Sequence, residues 1–263
     1  MTETCRAAVF AGDGTVEIRE FAVPEPPPGG AVLAVEAVGL CGSDAAQFHG
    51  VELVPGASAF PVVPGHETVG RVTALAPDAE LGVAVGDRVG VDEILPGGAL
   101  RVYGYSDMTG DGELGLWGGF GEYMQLFAGT RLHRLTPDGP AAPLTVFEPL
   151  ANAVNWVERA GVEPGSTVVV QGPGHQGLAV VAAVLAAGAA RVVVTGTSAD
   201  GLRLQAAEAM GATATVMVDR DDVGAAVKDL TRGWGADVVF DVATATATVP
   251  QAVDLVRYGG RIL

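Results

Sequence analysis

Four short stretches carry residues that could do chemistry, in a fixed order along the chain. They are Gly39-Leu40-Cys41-Gly42-Ser43-Asp44, Pro64-Gly65-His66-Glu67, Glu148-Pro149-Leu150-Ala151 and Gly172-Pro173-Gly174-His175-Gln176-Gly177. The first three offer a thiolate, an imidazole and carboxylates, a donor set that suits zinc. A catalytic zinc commonly takes three protein ligands and keeps one position for water or substrate. Cys41 and His66 supply two of the three; Glu67 and Glu148 are alternatives for the other. Each has a plainer reading too: Cys41 as a small buried residue, His66 as a turn histidine, Glu148 as an acid favoured at a helix start. Asp44 is suited to accept the second imidazole proton of His66 and fix its tautomer, with helix capping as the alternative. Ser43 is suited to carry a proton away from a substrate hydroxyl, with an N-cap hydroxyl as the plainer role.

The fourth stretch fits G-x-G-x-x-G through Gly172, Gly174 and Gly177, between a predicted strand and a predicted helix. In that setting the first glycine makes the turn, the second lets the backbone approach a pyrophosphate, and the third lets helix and strand pack closely. Helix N-terminal amides then receive the phosphates. His175 and Gln176 read as loop residues, with His175 a candidate to touch the pyrophosphate. A carboxylate at the tip of the following strand would hold ribose hydroxyls. The tip here is Gly196-Thr197-Ser198, with Asp200 further on. The hydroxyls of Thr197 and Ser198, with Arg203 nearby, form a candidate seat for a 2′-phosphate; Arg203 is otherwise a solvent-facing helix residue. NAD and NADP both stay open, with a slight lean to NADP.

Two kinds of segment must position these residues. Strand-like runs cover Arg6 to Ala11, Thr15 to Phe21 (alternating, as if half-buried), Ala31 to Gly39, Thr68 to Ala76 and Glu122 to Phe127, separated by Gly- and Pro-rich turns. Near Glu148 the period changes: Leu150, Val154, Val157 and Ala160 recur at helical spacing. Strands are then expected at Thr167 to Gln171, Arg191 to Thr195, Thr213 to Val218, Asp237 to Asp241 and Gly260 to Leu263. Helices are expected at Gly177 to Ala187, Leu202 to Met210, Val223 to Leu230 and Val249 to Val256. The fold class is α/β: a β-rich domain over 1–150, then a doubly wound parallel sheet over 151–263.

Bulk properties narrow the partners. The chain has 263 residues, with 31 acidic against 15 basic ones and a net charge of −16. That balance speaks against nucleic acid and against an anionic membrane surface. Two cysteines, Cys5 and Cys41, make no disulfide framework. The N-terminal residues lack the pattern of a secretory leader, and the longest apolar run, Leu178 to Ala190, is too short to span a bilayer. The expected location is the cytoplasm.

The ordered set Cys-Gly-Ser-Asp, Gly-His-Glu, Glu-Pro-Leu-Ala and the Gly-rich turn resembles the zinc-dependent medium-chain dehydrogenases, in particular their polyol and threonine dehydrogenase branch. The resemblance runs through essentially the whole chain. It implies a GroES-like catalytic domain before a Rossmann domain, one catalytic Zn2+ on Cys41, His66 and Glu67 or Glu148, and a proton relay that begins at Ser43. It implies hydride transfer between the carbinol of a small alcohol or polyol and NAD or NADP. Three departures stand out. The stretch Val91 to Tyr105 after Gly86-Asp87-Arg88-Val89 has no cysteine, so the lobe for a structural zinc is missing. Ala46 stands where many members carry a relay histidine, which leaves His49 as a candidate against its plainer reading as a loop histidine. The chain stops at Arg261-Ile262-Leu263, where members continue, and so reads as shortened; the homo-oligomer usual in the family is doubtful for such a chain. The rival readings are a zinc-free quinone or enal reductase of the same superfamily and a non-catalytic nucleotide-binding remnant.

Overall fold

The computed structural model describes residues 3–52, 59–98 and 100–263. Met1 and Thr2 of the N-terminal stretch, and Ala99 of the cysteine-free stretch, lie outside the described residues. The chain forms two compact units, Met1–Glu148 and Pro149–Leu263.

The first unit contains nine strands, one α-helix and a 3-10 helix (Ala142–Val146) among its described residues: β1 (Thr4–Phe10), β2 (Val16–Ala22), β3 (Ala31–Val38), α1 (Gly42–Phe48), β4 (Thr68–Leu75), β5 (Arg88–Val91), β6 (Ile94–Leu95), β7 (Arg101–Val102), β8 (Tyr123–Leu126) and β9 (Leu132–Arg134). Its main sheet is antiparallel, in the order β8-β3-β4-β5-β9. Ala31, Leu33, Val72, Val89, Val91, Met124 and Leu126 turn inward along these strands and pack with Tyr103, Met108 and Trp117. β1 and β2 form a separate two-stranded ribbon. The half-buried face expected of β2 is not there: Val16 and Ile18 are 52% and 68% exposed. Among the described residues β2 pairs only with β1, and Phe21 is its one large apolar side chain that packs on a core cluster.

A polar lock ties this unit together. Arg88, the arginine of Gly-Asp-Arg-Val, is buried and sends Nε to Glu36 Oε2 at 2.5 Å. Its Nη1 donates to the carbonyls of Thr136, Asp138 and Gly139. Arg71 reaches the other Glu36 oxygen at 2.9 Å.

The helix α2 (Phe147–Ala160) leads into the second unit. There β10 (Thr167–Gln171), α3 (His175–Ala186), β11 (Arg191–Gly196), α4 (Gly201–Met210), β12 (Ala214–Met217), α5 (Val223–Thr231), β13 (Ala236–Asp241), α6 (Thr248–Leu255) and β14 (Val256–Ile262) alternate. All strand pairs are parallel and the order is β12-β11-β10-β13-β14. In chain order that is 3-2-1-4-5, the doubly wound dinucleotide topology. Valines 168–170 and 192–194 are fully buried, as expected of strands covered on both faces. Of the boundaries that differ from the sequence reading, two matter here. α3 opens at His175 rather than Gly177, so His175 and Gln176 are helical, not loop residues. α6 ends at Leu255, and the last strand begins at Val256 rather than Gly260.

Candidate functional site

β3 ends at Val38 and delivers Gly39 to Asp44 at the start of α1. Cys41 is the N-cap of α1, and Asp44 closes a capping box by accepting the Cys41 amide on Oδ2 at 2.8 Å. Asp44 also fills the other role expected of it. Its Oδ1 stands 3.4 Å from His66 Nδ1, and both side chains are almost wholly buried. That is an ion-pair distance rather than a formed hydrogen bond. One carboxylate therefore fixes the backbone of the thiol and faces the imidazole as well.

The segment carrying His66 and Glu67 precedes β4 and is clamped by backbone bonds. Gly119 donates to Gly65 O at 2.8 Å and Phe120 to Pro64 O at 2.9 Å. Gly39 donates to Glu67 O at 2.9 Å. A Cβ at Gly39 would lie 1.9 Å from Glu67 Oε2, so the glycine leaves the space that the carboxylate fills. A ligand oxygen of Glu67 and the Cys41 sulfur come within 4.8 Å of each other.

With Nδ1 facing Asp44, Nε2 is the His66 nitrogen available to a metal. Ser43 Oγ lies 3.4 Å from Nε2, and Glu93 Oε2 lies 3.9 Å from it. Burial disfavours the charged imidazole, yet Asp44, Cys41 and Glu93 outweigh it and raise the His66 pKa to about 11. The pocket is therefore built for positive charge: without a metal, the imidazolium itself supplies the cation among these acidic groups. A thiol, an imidazole and a carboxylate around such a point suit zinc.

Two contributors escaped the sequence reading. Glu93 sits between β5 and β6, and its carbonyl accepts the Tyr103 amide at 2.9 Å. Tyr105 is buried, its ring centroid 5.4 Å from that of His66. Burial pushes the Tyr105 pKa up, partly offset by a hydrogen bond with Ser43. Gln47, buried on α1, donates to Gly104 O at 2.9 Å and joins the helix to this turn. Glu93 carried no signal in the local sequence, because it meets His66 only through the pairing of β5 with β4.

The remaining candidates of this unit are placed as follows. His49 is exposed at the C-cap of α1, its ring beside Phe48. Glu148 is half-buried in the first turn of α2.

In the second unit, Gly172 turns the chain out of β10 with φ +99°, and Gly174 is the N-cap of α3. A Cβ at Gly177 would lie 1.9 Å from Gly172 O, so the first turn of α3 closes directly on the glycine turn. This is the geometry that presents helix N-terminal amides to a pyrophosphate. The tip of β11 differs from the expectation of a phosphate seat. Thr197 Oγ1 donates to Asp200 Oδ2 at 2.8 Å, and Ser198 donates to Asp219 from both its amide and its hydroxyl. Arg203 is paired with Asp200 at 3.0 Å. Both hydroxyls and the arginine are thus engaged by carboxylates, and Asp219 comes from the turn after β12.

This is the arrangement of a dehydrogenase: a GroES-like β-domain with a half-buried cysteine beside a buried histidine and carboxylate, and a 3-2-1-4-5 sheet with a glycine turn. Residues 27–137 match the alcohol dehydrogenase GroES-like domain, and residues 177–263 match the zinc-binding dehydrogenase family. The chain is 37% identical to the erythritol/L-threitol dehydrogenase of Mycolicibacterium smegmatis, over 98% of its own length and 75% of that protein. It is 32% identical to the L-threonine 3-dehydrogenase of Pyrococcus horikoshii, over 94% of its length and 71% of that protein. A provisionally assigned zinc-binding dehydrogenase from Sinorhizobium meliloti, bound to NADP, superposes with a TM-score of 0.86 at 29% identity, covering 99% of this chain and 76% of that one. The chain belongs to the zinc-binding, alcohol dehydrogenase-type family of oxidoreductases. Among the described residues, no helix is long and apolar enough to cross a membrane.

Proposed function

We propose that the protein is a zinc-dependent dehydrogenase that moves a hydride between the carbinol of a small alcohol or polyol and NAD(P). The observation that supports this most is the position of the Cys41 thiol, which hydrogen-bonds the buried His66 ring and lies within 4.8 Å of a Glu67 oxygen. Cys41, His66 and Glu67 would hold the zinc, which as a Lewis acid acidifies a substrate hydroxyl. Asp44 orients the imidazole from its Nδ1 side. Ser43 Oγ, 3.4 Å from His66 Nε2 and hydrogen-bonded to Tyr105, takes the hydroxyl proton and passes it outward. Gly172, Gly174 and Gly177 shape the pyrophosphate turn, with His175 at the first helical position beside it. The nicotinamide cofactor supplies the hydride acceptor. A zinc-free reductase of the same superfamily would have no use for this donor set.

Elemental analysis together with turnover tests the reading. Zinc-loaded protein should hold about one zinc per chain, because one catalytic donor set is present and the cysteine lobe is missing. Addition of a polyol and NAD(P) should raise absorbance of the reduced cofactor, and Cys41→Ser should abolish both properties. Absence of zinc after dialysis, or turnover that survives Cys41→Ser, would overturn it.

A further inference from the structure

Glu93 contributes negative charge beside His66 but has no contact with substrate in the chemistry described so far. Its backbone is fixed by the Tyr103 amide, and its side chain is 27% exposed. Its Oε2 stands 3.9 Å from His66 Nε2, on the side of the ring where Ser43 Oγ also lies. Among the described residues, neither lysine nor arginine comes within 4.0 Å of this carboxylate; its basic neighbour is His66. Glu36 provides a contrast, being held by two arginines at similar exposure. Withdrawing a carboxyl group from water is costly unless a donor satisfies it. The other polar groups at this edge are committed to each other, since Ser43 and Tyr105 share a hydrogen bond. Once His66 serves a metal, Glu93 is left facing the substrate side with an acceptor to fill.

We propose that Glu93 is a specificity-determining residue: its carboxylate accepts a hydrogen bond from the hydroxyl next to the one being oxidised. The site then favours vicinal diols and polyols over monohydric alcohols of the same skeleton. This rests on the zinc-site reading above. A hydroxyl directed to the Nε2 edge of His66 carries its vicinal partner one carbon–carbon bond further on, toward the Glu93 oxygen. A monohydric alcohol places a methyl or methylene there and leaves the carboxylate without its donor. A hydrogen bond to a charged group of this kind corresponds to on the order of 10–100-fold in affinity.

The test uses the full chain loaded with cobalt(II), whose visible spectrum reports ligands at the metal, titrated with 2,3-butanediol and with 2-butanol. In the wild type the diol should bind at least about tenfold tighter than the monohydric alcohol. Glu93→Leu should bring that ratio close to one. Glu93→Gln, which keeps an acceptor oxygen and the side-chain shape, should fall between. Cobalt stoichiometry should be the same in all three. An unchanged ratio in Glu93→Leu, equal or absent responses in the wild type, or loss of cobalt from Glu93→Gln would overturn the proposal; the last would make Glu93 a metal ligand. A chain that takes up no cobalt at all would overturn the zinc-site reading, whereas normal uptake with no diol preference overturns only this inference.

Discussion

Replacing Gly39 by alanine should unseat Glu67 and leave the surrounding strand intact. The new Cβ would fall 1.9 Å from Glu67 Oε2, 2.9 Å from its Cβ and 3.0 Å from its Cδ. Rotating the carboxylate alone does not clear three such contacts, so the side chain must leave its place. Gly39 is not among the glycines of positive φ, so alanine can adopt its backbone, although the 2.9 Å approach to Glu67 Cβ also makes the two main chains part at the Gly39 N–H bond to Glu67 O. The main loss then falls on metal binding. Four-ligand structural zinc sites bind with roughly 10–16 kcal/mol, so one ligand's share is about 3–4 kcal/mol. At ~1.4 kcal/mol per tenfold this is a weakening of about 10²–10³. Competition against a chromogenic chelator measures it, and thermal unfolding of the metal-free variant checks the fold. Glu67→Gln should lose a similar factor, and the double variant should be no worse than either single one, since both remove one ligand. Glu148→Gln should stay within about threefold of wild type, a difference under ~1 kcal/mol. Wild-type zinc affinity in Gly39→Ala, with a large loss in Glu148→Gln, would refute the assignment of Glu67 and name Glu148 as the third ligand.

Zinc uptake should release the His66 proton well above neutrality: calorimetry at pH 8 in buffers of different ionisation enthalpy should show it, because the folded-state pKa is about 11 against 6.5 for the free side chain. The same raised pKa stabilises the metal-free fold fully below pH 6.5, and that contribution should be lost as pH rises toward 11. With Asp200 and Asp219 at the tip of β11, NADH should bind more tightly than NADPH. Asp219→Asn should narrow the gap and Arg203→Ala, removing an arginine already paired with Asp200, should change it little; tighter NADPH binding in the wild type would contradict this. Glu36→Gln should destabilise the protein by about 2 kcal/mol by removing the partner of buried Arg88, less than the ~3–5 kcal/mol of a fully buried pair because Glu36 is partly exposed. Hydrogen bonds to Arg88 and Arg71 depress the Glu36 pKa, so its contribution is present above the ordinary carboxylate range and should fade in acid; urea midpoints from pH 7 to 3 should converge for wild type and variant.

What was legible in the sequence was what backbone geometry dictates over a few residues. The Gly172 to Gly177 turn is such a case, because a Cβ at the third glycine collides with the carbonyl of the first. So are the buried valine runs of β10 and β11, whose composition alone marks two-sided burial. Cys41 and Asp44 belong there too, three residues apart in one capping box. Partners contributed from elsewhere in the chain were not legible. Thr197, Ser198 and Arg203 read as a phosphate seat because Asp219, twenty-one residues beyond Ser198, is invisible to local inspection. Glu93 stands twenty-seven positions after His66 and joins it only because β5 pairs with β4. The boundary between α6 and β14 slipped because Val256 suits a helix face and a strand equally well.

That difference bears on how the site should be understood. The residues with chemical names in the sequence, Cys41 and His66, are donors that a metal could find in many proteins. What distinguishes this pocket is the field around them: Asp44 on one side of the imidazole and Glu93 on the other, with Glu67 beside the thiol. Burial alone would hold His66 neutral, and Asp44, Cys41 and Glu93 reverse that to a pKa of about 11. Like charges gathered out of water repel unless a cation joins them. The pocket thus has a standing demand for positive charge that a proton meets in the metal-free chain and a divalent ion would meet better. Neutralising Asp44 should therefore lower the His66 pKa and weaken zinc together, whereas a substitution that only loosens packing would weaken zinc with the pKa unmoved. NMR titration of the His66 ring in metal-free Asp44→Asn, beside its zinc affinity, separates the two accounts. An unchanged pKa with weakened zinc would mean that Asp44 acts by shape rather than by charge.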